Sequence, residues 1–314
     1  MKRHTVAITS HAMREPTRPL IPQDFRLKHR LRVRWGEVDI QRIVFNPHYL
    51  MYIDGAFTEY WRALGIPYAS IPALLQGDLY VKKSTLEYHG SARLDDMLDI
   101  CLKCERIGNS SLLFRSGIFR CDTLLVSAEM VYVFADPASQ RPKPVPQTLR
   151  ALLPSYEAGE SPLQLRLGSW ADLGKQASVL RQAVFVDELQ IDAGFAQDAL
   201  DPPAVHALVS NRLGEAVATG RLTQEVPGVA RIARVAVASA LRATGFGRML
   251  VHALIQHASD RGDTRVNLCA QSSAQGFYSR LGFHVISETF KESNLPQVEM
   301  VRALEAHRSL LKTG

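Results

Sequence analysis

Residues 27–36, "LKHRLRVRWG", alternate apolar and polar side chains, the period of a half-buried strand. The period changes at Asn46. Leu50, Ile53, Phe57, Trp61 and Leu64 recur at helical spacing and predict one long amphipathic helix, stopped by Gly65 and Pro67. Strand-like runs follow at "LYVKKSTLEYHG", "MLDICLKCERIG", "SSLLFRSGIFRC" and "TLLVSAEMVYVFAD". Gly108-Asn109 and Cys121-Asp122 supply turn chemistry between the later runs. One long helix followed by long antiparallel strands predicts an α+β domain, a helix wrapped by a curved sheet.

The stretch "PSYEAGESP" (154–162) has no period and reads as a linker. The rhythm beyond it is different. "LQLRLGSW" predicts a strand and "ADLGKQASVLRQAVFVDEL" a helix; "AVHALVS", "EAVATGRLTQE" and "VARIARVAVA" predict strands. "GFGRMLVHALIQHASDRG" predicts an amphipathic helix with Met249, Leu250, Ala253, Leu254 and Ala258 inward. A strand "RVNLCAQ", a short helix "SAQGFYSRLG" and strands "HVISETF" and "VEMVRAL" complete it. The expected division is a flexible basic leader over 1–26, one α+β domain over 27–153, the linker over 154–162 and a second domain over 163–314.

Composition narrows the function. A chain of 314 residues exceeds one comfortable core, and 46% hydrophobic with 22% charged residues is globular. The net charge is +6, but residues 1–30 hold +5 of it. The remainder is close to neutral, which excludes the basic face that nucleic acid requires. No apolar run reaches the ~18 residues of a membrane span, and the start lacks a signal peptide's apolar core. A cytoplasmic location is expected. Cys101 and Cys104 form a lone C-x-x-C on a strand-like run, where positions three apart face opposite sides. No second ligand pair follows, so reduced thiols are expected rather than a zinc site.

The sharpest local motif lies in "VAVASALRATGFGRMLV" (235–251). A strand ends and Arg242-Ala-Thr-Gly245-Phe-Gly247 opens a helix. Glycines there let backbone N–H groups approach an anion at the positive helix end. The spacing is neither that of a Walker loop nor that of the dinucleotide fingerprint. On its own it is either a phosphate cradle or a plain helix start. Together with "CAQSSAQGFYSRLGF" downstream, it resembles the GNAT N-acetyltransferases over most of 163–304. "LRQAVFVDEL", "GRL", "RIARVAV" and "ESNLPQVEM" are similar to the narrower ElaA-type branch. The resemblance implies acetyl-CoA or another acyl-CoA as substrate, its pyrophosphate at the backbone of Arg242, Ala243, Thr244, Gly245, Phe246 and Gly247. Its pantetheine would follow the end of the Ile232–Val237 strand, at Val235 and Val237, where the strand must splay. Tyr278 would be the acid for the leaving thiolate. Glu188 would be a base or an acceptor contact. Gln297 stands where that branch usually has histidine, so the acceptor can differ.

"RWGEVDIQRIVFNPHY", "LEYHGSARLDDMLDI" and "RPKPVP" resemble the hotdog acyl-CoA thioesterases of the 4-hydroxybenzoyl-CoA/YbgC type over roughly 27–153. The resemblance implies a helix wrapped by a sheet, pairing of domains into a homodimer or homotetramer, and active sites at the subunit interface. A thioester needs a nucleophile or base and donors for its carbonyl oxygen. Asp39 matches the family's catalytic aspartate, and the helix starting at Asn46 or Pro47 would aim N–H groups at that carbonyl. Arg42, Asn46 and Tyr49 are the expected substrate contacts. Arg141 and Lys143 are expected CoA-phosphate contacts or a solvated basic rim. Two positions depart from the family: Glu37 replaces an aspartate, and Arg42 replaces a glycine, so that it either grips substrate or plugs the pocket. Asp54 is read as structural, and His48 and His89 receive no role.

The expectation is a bifunctional CoA-thioester enzyme without a permanently bound cofactor or metal, acting on a small-molecule substrate, an acyl-CoA of any chain length, and an amine acceptor. The alternative is a hotdog domain that only dimerises or senses acyl-CoA beside an active acetyltransferase.

Overall fold

The computed structural model describes residues 18–292 and 295–304. Most of the expected leader, 1–17, lies outside the described residues. In its last part Pro22–Asp24 form a 3-10 turn, and Phe25 is buried with Cys101 and Phe119. Backbone contacts group the chain into two compact units. One reaches Ala56 and adds Lys83–Lys103 and Phe114–Met130; the other holds Phe57–Lys82, Cys104–Leu113 and the chain from Val131 onward.

The first sheet has five strands: β1 (Leu27–Arg32), β2 (Asp78–Tyr88), β3 (Met97–Ile107), β4 (Ser111–Arg120) and β5 (Thr123–Ala135). Their order is β1-β3-β4-β5-β2, and β1 runs antiparallel to β3 with Leu27 opposite Leu102. Helix α1 (Asn46–Ala63) is the predicted long helix. It ends where Gly65 takes a left-handed conformation (φ 72°) that L side chains resist. Its buried stripe is Tyr49, Tyr52, Ile53, Ala56, Phe57, Tyr60 and Trp61. This corrects the sequence reading in one place, because Leu50 is 37% exposed. Tyr49 and Tyr52 displace it, since both hydroxyls find partners inside: Tyr49 accepts from the Ala92 N–H and Tyr52 donates to Glu37. The two strand faces of the C-x-x-C separate as expected, with Cys101 buried, Cys104 half-buried and both thiols free.

Two further helices are α2 (Ile71–Leu75), between α1 and β2, and α3 (Gln147–Glu157), after β5. Helix α3 runs through Pro154 into the stretch read as a linker. An interior proline costs about 3 kcal/mol. Burial of Leu149, Leu152, Leu153 and Tyr156 outweighs it, at about 1.5–3 kcal/mol for each large side chain. The Tyr60 hydroxyl and the Cys104 N–H also both donate to Glu157 at the helix end, at 2.6 and 2.8 Å. Composition does not reveal such tertiary support.

The second sheet is mixed. Its strands are β6 (Leu163–Gly168), β7 (Val205–Asn211), β8 (Ala216–Val226), β9 (Val229–Val237), β10 (Arg265–Gln271), β11 (His284–Val285), β12 (Phe290–Glu292) and β13 (Leu295–Ala303). The order is β11-β13-β10-β9-β8-β7-β6, with β12 beside β13. Helix α4 (Trp170–Arg181) continues as a π-helical segment over Gln182–Glu188. It covers one face by packing Leu180, Val184 and Phe185 with Ala236 of β9. Helix α5 (Phe246–Asp260) covers the other, its Leu250, Leu254 and Ala258 packed with Leu222, Ile232 and Leu268. Met249, expected inward, is 38% exposed. The short helix α6 (Gln275–Ser279) follows β10.

Candidate active sites

Asp39 sits in a tight loop ahead of α1. Its N–H bonds the Ile43 carbonyl, the Arg42 N–H bonds the Asp39 carbonyl, and one carboxylate oxygen accepts from the Gln41 N–H at 2.8 Å. A bridge between Val38 and Val44 closes the loop, and Val44 is tied to Ala92. Glu37 is locked beside it, accepting from the Arg34 N–H and the Tyr52 hydroxyl. Glu37 therefore works as a brace for the loop and α1. Arg42 has φ 62°, the left-handed region that favours glycine, and its side chain is exposed. The glycine missing from the motif is thus a backbone requirement, which arginine meets at a cost of about 1–2 kcal/mol.

The remaining N-terminal candidates divide. Asn46 is exposed at the start of α1, where the first-turn N–H groups lack intrahelical partners. Tyr49, expected to touch substrate, is 2% exposed and committed to Ala92. Lys143 donates to the Gln76 backbone carbonyl, while Arg141 is exposed. His89 meets Ser127 at 2.9 Å and His48 rests edge-on to Phe45. Trp35, Ile40 and Phe45, flanking Asp39 in the chain, are 81%, 99% and 51% exposed.

The C-terminal candidates converge on a break in the second sheet. Strands β9 and β10 pair in parallel only from Val229↔Arg265 to Ile232↔Leu268, although β9 runs on to Val237 and β10 to Gln271. On the other side of β9, the register with β8 shifts between Thr219 and Arg221, where Arg234 stands at φ 54°. Such a bulge bends the strand. A cavity of about 770 Å³ opens there. Ile232–Val237, Arg242, Ala243, Gly245–Arg248, Cys269, Tyr278 and Gln297 are among the residues that line it.

At one end of the cavity α5 begins. Gly245 (φ 92°) caps it without a side-chain bond, and its carbonyl takes the first helical bond from Met249. The N–H groups of Phe246, Gly247 and Arg248 precede that bond. A side chain on Gly247 would meet Val237 at 3.2 Å, so glycine keeps the helix close to β9. Thr244 turns its hydroxyl back to the Leu241 carbonyl. Arg242 is held by Glu188 through two bonds of 2.6 and 2.7 Å. Glu188, expected as base or acceptor contact, has both oxygens engaged by this guanidinium. Tyr278 stands edge-to-face between Phe277 and Phe283, and burial pushes its hydroxyl well above the usual tyrosine range.

Sequence reasoning missed a buried charge cluster under α4. Arg181 and Arg221 both donate to Asp201, at 2.8 and 2.9 Å; Arg221 and Arg234 both donate to Asp198. Burial keeps the adjoining His206 below its usual range and neutral. The one available signal was Arg221 inside an otherwise apolar strand. Among the described residues no group of three or more His, Cys, Asp or Glu could hold a metal ion, and no helix is long and apolar enough to cross a membrane.

A hotdog-type sheet and a splayed acetyltransferase-type sheet thus stand in one chain, each with its own candidate site. The chain belongs to two families: its residues 33–153 match the thioesterase-like superfamily and its residues 175–304 the acetyltransferase (GNAT) domain. Acyl-CoA thioester hydrolase YbgC of Escherichia coli O157:H7 is 31% identical over 122 residues, 38% of this chain and 90% of that protein. The uncharacterized N-acetyltransferase YjcF of Bacillus subtilis (strain 168) is 32% identical over 130 residues, 41% of this chain and 91% of that protein. The crystal structure of Escherichia coli ElaA matches at 26% identity and a TM-score of 0.41, over 45% of this chain and 99% of that one.

Proposed function

We propose that the chain acts on CoA thioesters twice, hydrolysing an acyl-CoA in a domain over 27–153 and transferring an acyl group from CoA to an amine in a domain over 163–314. The observation that carries this reading is the gap beyond Ile232 and Leu268, which opens one cavity between the α5 N-terminus and Tyr278.

In the transfer step the CoA pyrophosphate lies on the N–H groups at the start of α5, beside Arg242. The pantetheine follows Val235 and Val237. The amine attacks the thioester carbonyl carbon, the C–S bond breaks, and the Tyr278 hydroxyl gives its proton to the departing sulfur. The amine releases a proton to water. Glu188 acts here as a positioning residue, since it fixes Arg242. In the hydrolytic step the Asp39 carboxylate either takes a proton from the water that attacks the thioester carbonyl carbon, or attacks that carbon itself to give an acyl-aspartate that water then hydrolyses. On either route the C–S bond breaks, CoA leaves as a thiolate that takes up the water's proton, and the α1 N-terminus polarises the carbonyl. Asn46 and the exposed Arg42 and Arg141 are the substrate contacts; Tyr49 holds the loop in place. A second copy pairs along the first sheet, at the long edge strand β2 with its exposed Val81, and covers Trp35, Ile40 and Phe45. The location proposed is cytoplasmic.

Thiol release from acyl-CoAs by the full chain, with and without amines, tests both halves. Hydrolysis is lost in Asp39→Ala and kept in Tyr278→Phe; amine-dependent release shows the reverse. Wild-type hydrolysis in Asp39→Ala would remove Asp39 from the site.

A further inference from the structure

We propose that a second cavity, between α5 and the turn after α6, receives a phosphate monoester, the 3′-phosphate of the CoA whose pyrophosphate lies at the start of α5. This rests on the acyl-transfer reading above and deepens it, since the donor is then the complete coenzyme and not any pantetheine thioester. The cavity measures about 410 Å³. Its polar wall is His252 of α5, Arg280 after α6, His284 of β11 and Arg302 of β13, and among the described residues no Asp or Glu lines it. Arg280 also lines the larger cavity, so the two adjoin at its side chain.

The cations here lack counterions. Elsewhere in this half arginines are held by carboxylates, as Arg221, Arg231, Arg242 and Arg261 are. Among the described residues Arg280 and Arg302, and Arg248 one turn before His252 on α5, have no carboxylate partner. Like charges gathered in one hollow repel each other and together attract an anion. His252 registers that field: burial and the charges of Arg248 and Arg302 hold its imidazole below the ordinary range. Arg302 is fixed in place. Its Nη1 donates to the Leu281 carbonyl at 2.6 Å, and a Cβ on Gly282 (φ 83°) would meet its Cδ and Nε at 3.7 Å. Its Nε and Nη2 have no hydrogen-bond partner among the described residues.

Charge selects a phosphate monoester. It carries about −1.5 to −2 charges at neutral pH and offers three acceptor oxygens. Guanidinium forks match such oxygens in pairs, and Arg280 and Arg302 supply two forks. Position selects CoA. His252 lies on α5 beyond Phe246 by about 9 Å, the rise of six helical residues, so the cavity is close to the N–H groups proposed for the pyrophosphate. In CoA the pyrophosphate and the 3′-phosphate hang from the same ribose. A molecule seated at the start of α5 therefore presents its second anion one sugar away. An acyl-pantetheine cut short of the ribose has nothing to place there.

Calorimetry on the full chain compares CoA with 3′-dephospho-CoA, which differ only in this phosphate and carry no thioester for either half to consume. CoA should bind about tenfold more tightly, the worth of one charge-assisted hydrogen bond. Because CoA can also meet the N-terminal half, that difference must be lost in Arg280→Gln. This variant should weaken CoA about tenfold and leave 3′-dephospho-CoA little changed. The Arg280 side chain has no partner among the described residues, so the variant should keep its melting temperature. Equal affinities in the wild type, or an equal loss for both ligands in Arg280→Gln, overturns the proposal. Inorganic phosphate that binds the wild type but not Arg280→Gln, while the two coenzymes bind alike, makes the pocket a free-phosphate site and overturns it as well. A preference for CoA that depends on Arg280, with acetyl-CoA giving its acyl group to no amine, keeps this assignment and sinks acyl transfer instead.

Discussion

Arg242 and Glu188 stand 54 positions apart in sequence and meet in a paired ion bridge, Nη1 to Oε1 at 2.6 Å and Nη2 to Oε2 at 2.7 Å. The pair joins the π-helical end of α4 to the loop that opens α5. A forked guanidinium held this way has little rotational freedom left to lose on meeting a phosphate. Arg242→Ala should raise the acetyl-CoA Kd about tenfold by calorimetry. Glu188→Gln should raise it by a smaller factor with kcat little changed, which separates a positioning residue from a base; a kcat loss of a hundredfold or more in Glu188→Gln would restore the base role.

Tyr278→Phe should lower kcat for acyl transfer by about 10²-fold, within the usual range of general acid catalysis, and leave the acetyl-CoA Kd unchanged. The ring contacts with Phe277 and Phe283 survive the change, so folding is preserved. Burial raises the Tyr278 pKa, so the phenol keeps its proton through the neutral and mildly alkaline range. The transfer rate should therefore show no alkaline loss from this group below about pH 10, the ordinary tyrosine value. An alkaline limb near pH 8 that disappears in Tyr278→Phe contradicts this.

Asp39→Asn should abolish hydrolysis while leaving the melting temperature within a few degrees, because the amide oxygen can still accept from the Gln41 N–H. Steady-state thiol release and thermal denaturation read the two effects separately.

Arg42 decides between strain and substrate grip. Arg42→Gly should hold or raise stability, since φ 62° carries no penalty for glycine, whereas Arg42→Val should lower it by about 1–2 kcal/mol. Urea denaturation measures both. As a substrate contact the exposed guanidinium should also make Arg42→Gly raise KM for hydrolysis; a rise in kcat/KM in the same variant would show that it obstructs the site instead.

The Asp198 carboxyl gives a pH signature. Its burial raises the pKa, but hydrogen bonds from Arg221 and the Leu200 N–H outweigh this and hold it at about 2. A depressed folded value means that the stabilisation is present above the unfolded pKa near 4 and is lost as pH falls towards 2. The contribution is about 1–2 kcal/mol. In Asp198→Asn the stability should be lower at pH 7 and its slope between pH 4 and 2 shallower by about one proton. An unchanged slope would show that Asp198 titrates normally.

The elements and the family pattern were readable because they rest on local periods and short motifs. The strands from Leu27 to Ala135 and the helices at Asn46 and Phe246 fall where the alternation and the 3.6-residue spacing put them. What was not readable depends on partners far away. Leu50 lies on the solvent side because hydropathy alone does not anticipate tyrosines whose hydroxyls are satisfied inside, and Met249 is exposed where Phe246, Leu250, Val251 and Leu254 take the inner face of α5. Pro154 looks like a breaker until Glu157 finds Tyr60 and Cys104. The second site follows the same division. Its phosphate cradle is contiguous in the chain, but the Arg242–Glu188 pair and the five-residue charge cluster under α4 are assembled from separate elements. Arg42 shows a third case, in which the missing glycine was visible but its meaning became clear only as a backbone angle.

The unfinished pairing between β9 and β10 leaves peptide groups beyond Ile232 and Leu268 facing a gap instead of a neighbouring strand. Polar backbone at the edge of a cavity must be satisfied by whatever fills it. Pantetheine, with two amides on an extended tether, is shaped like a short length of peptide. On the acyl-transfer reading the substrate completes the sheet, so the protein's own secondary structure is finished only while CoA is bound. Amide exchange along Ala233–Val237 would then report occupancy directly.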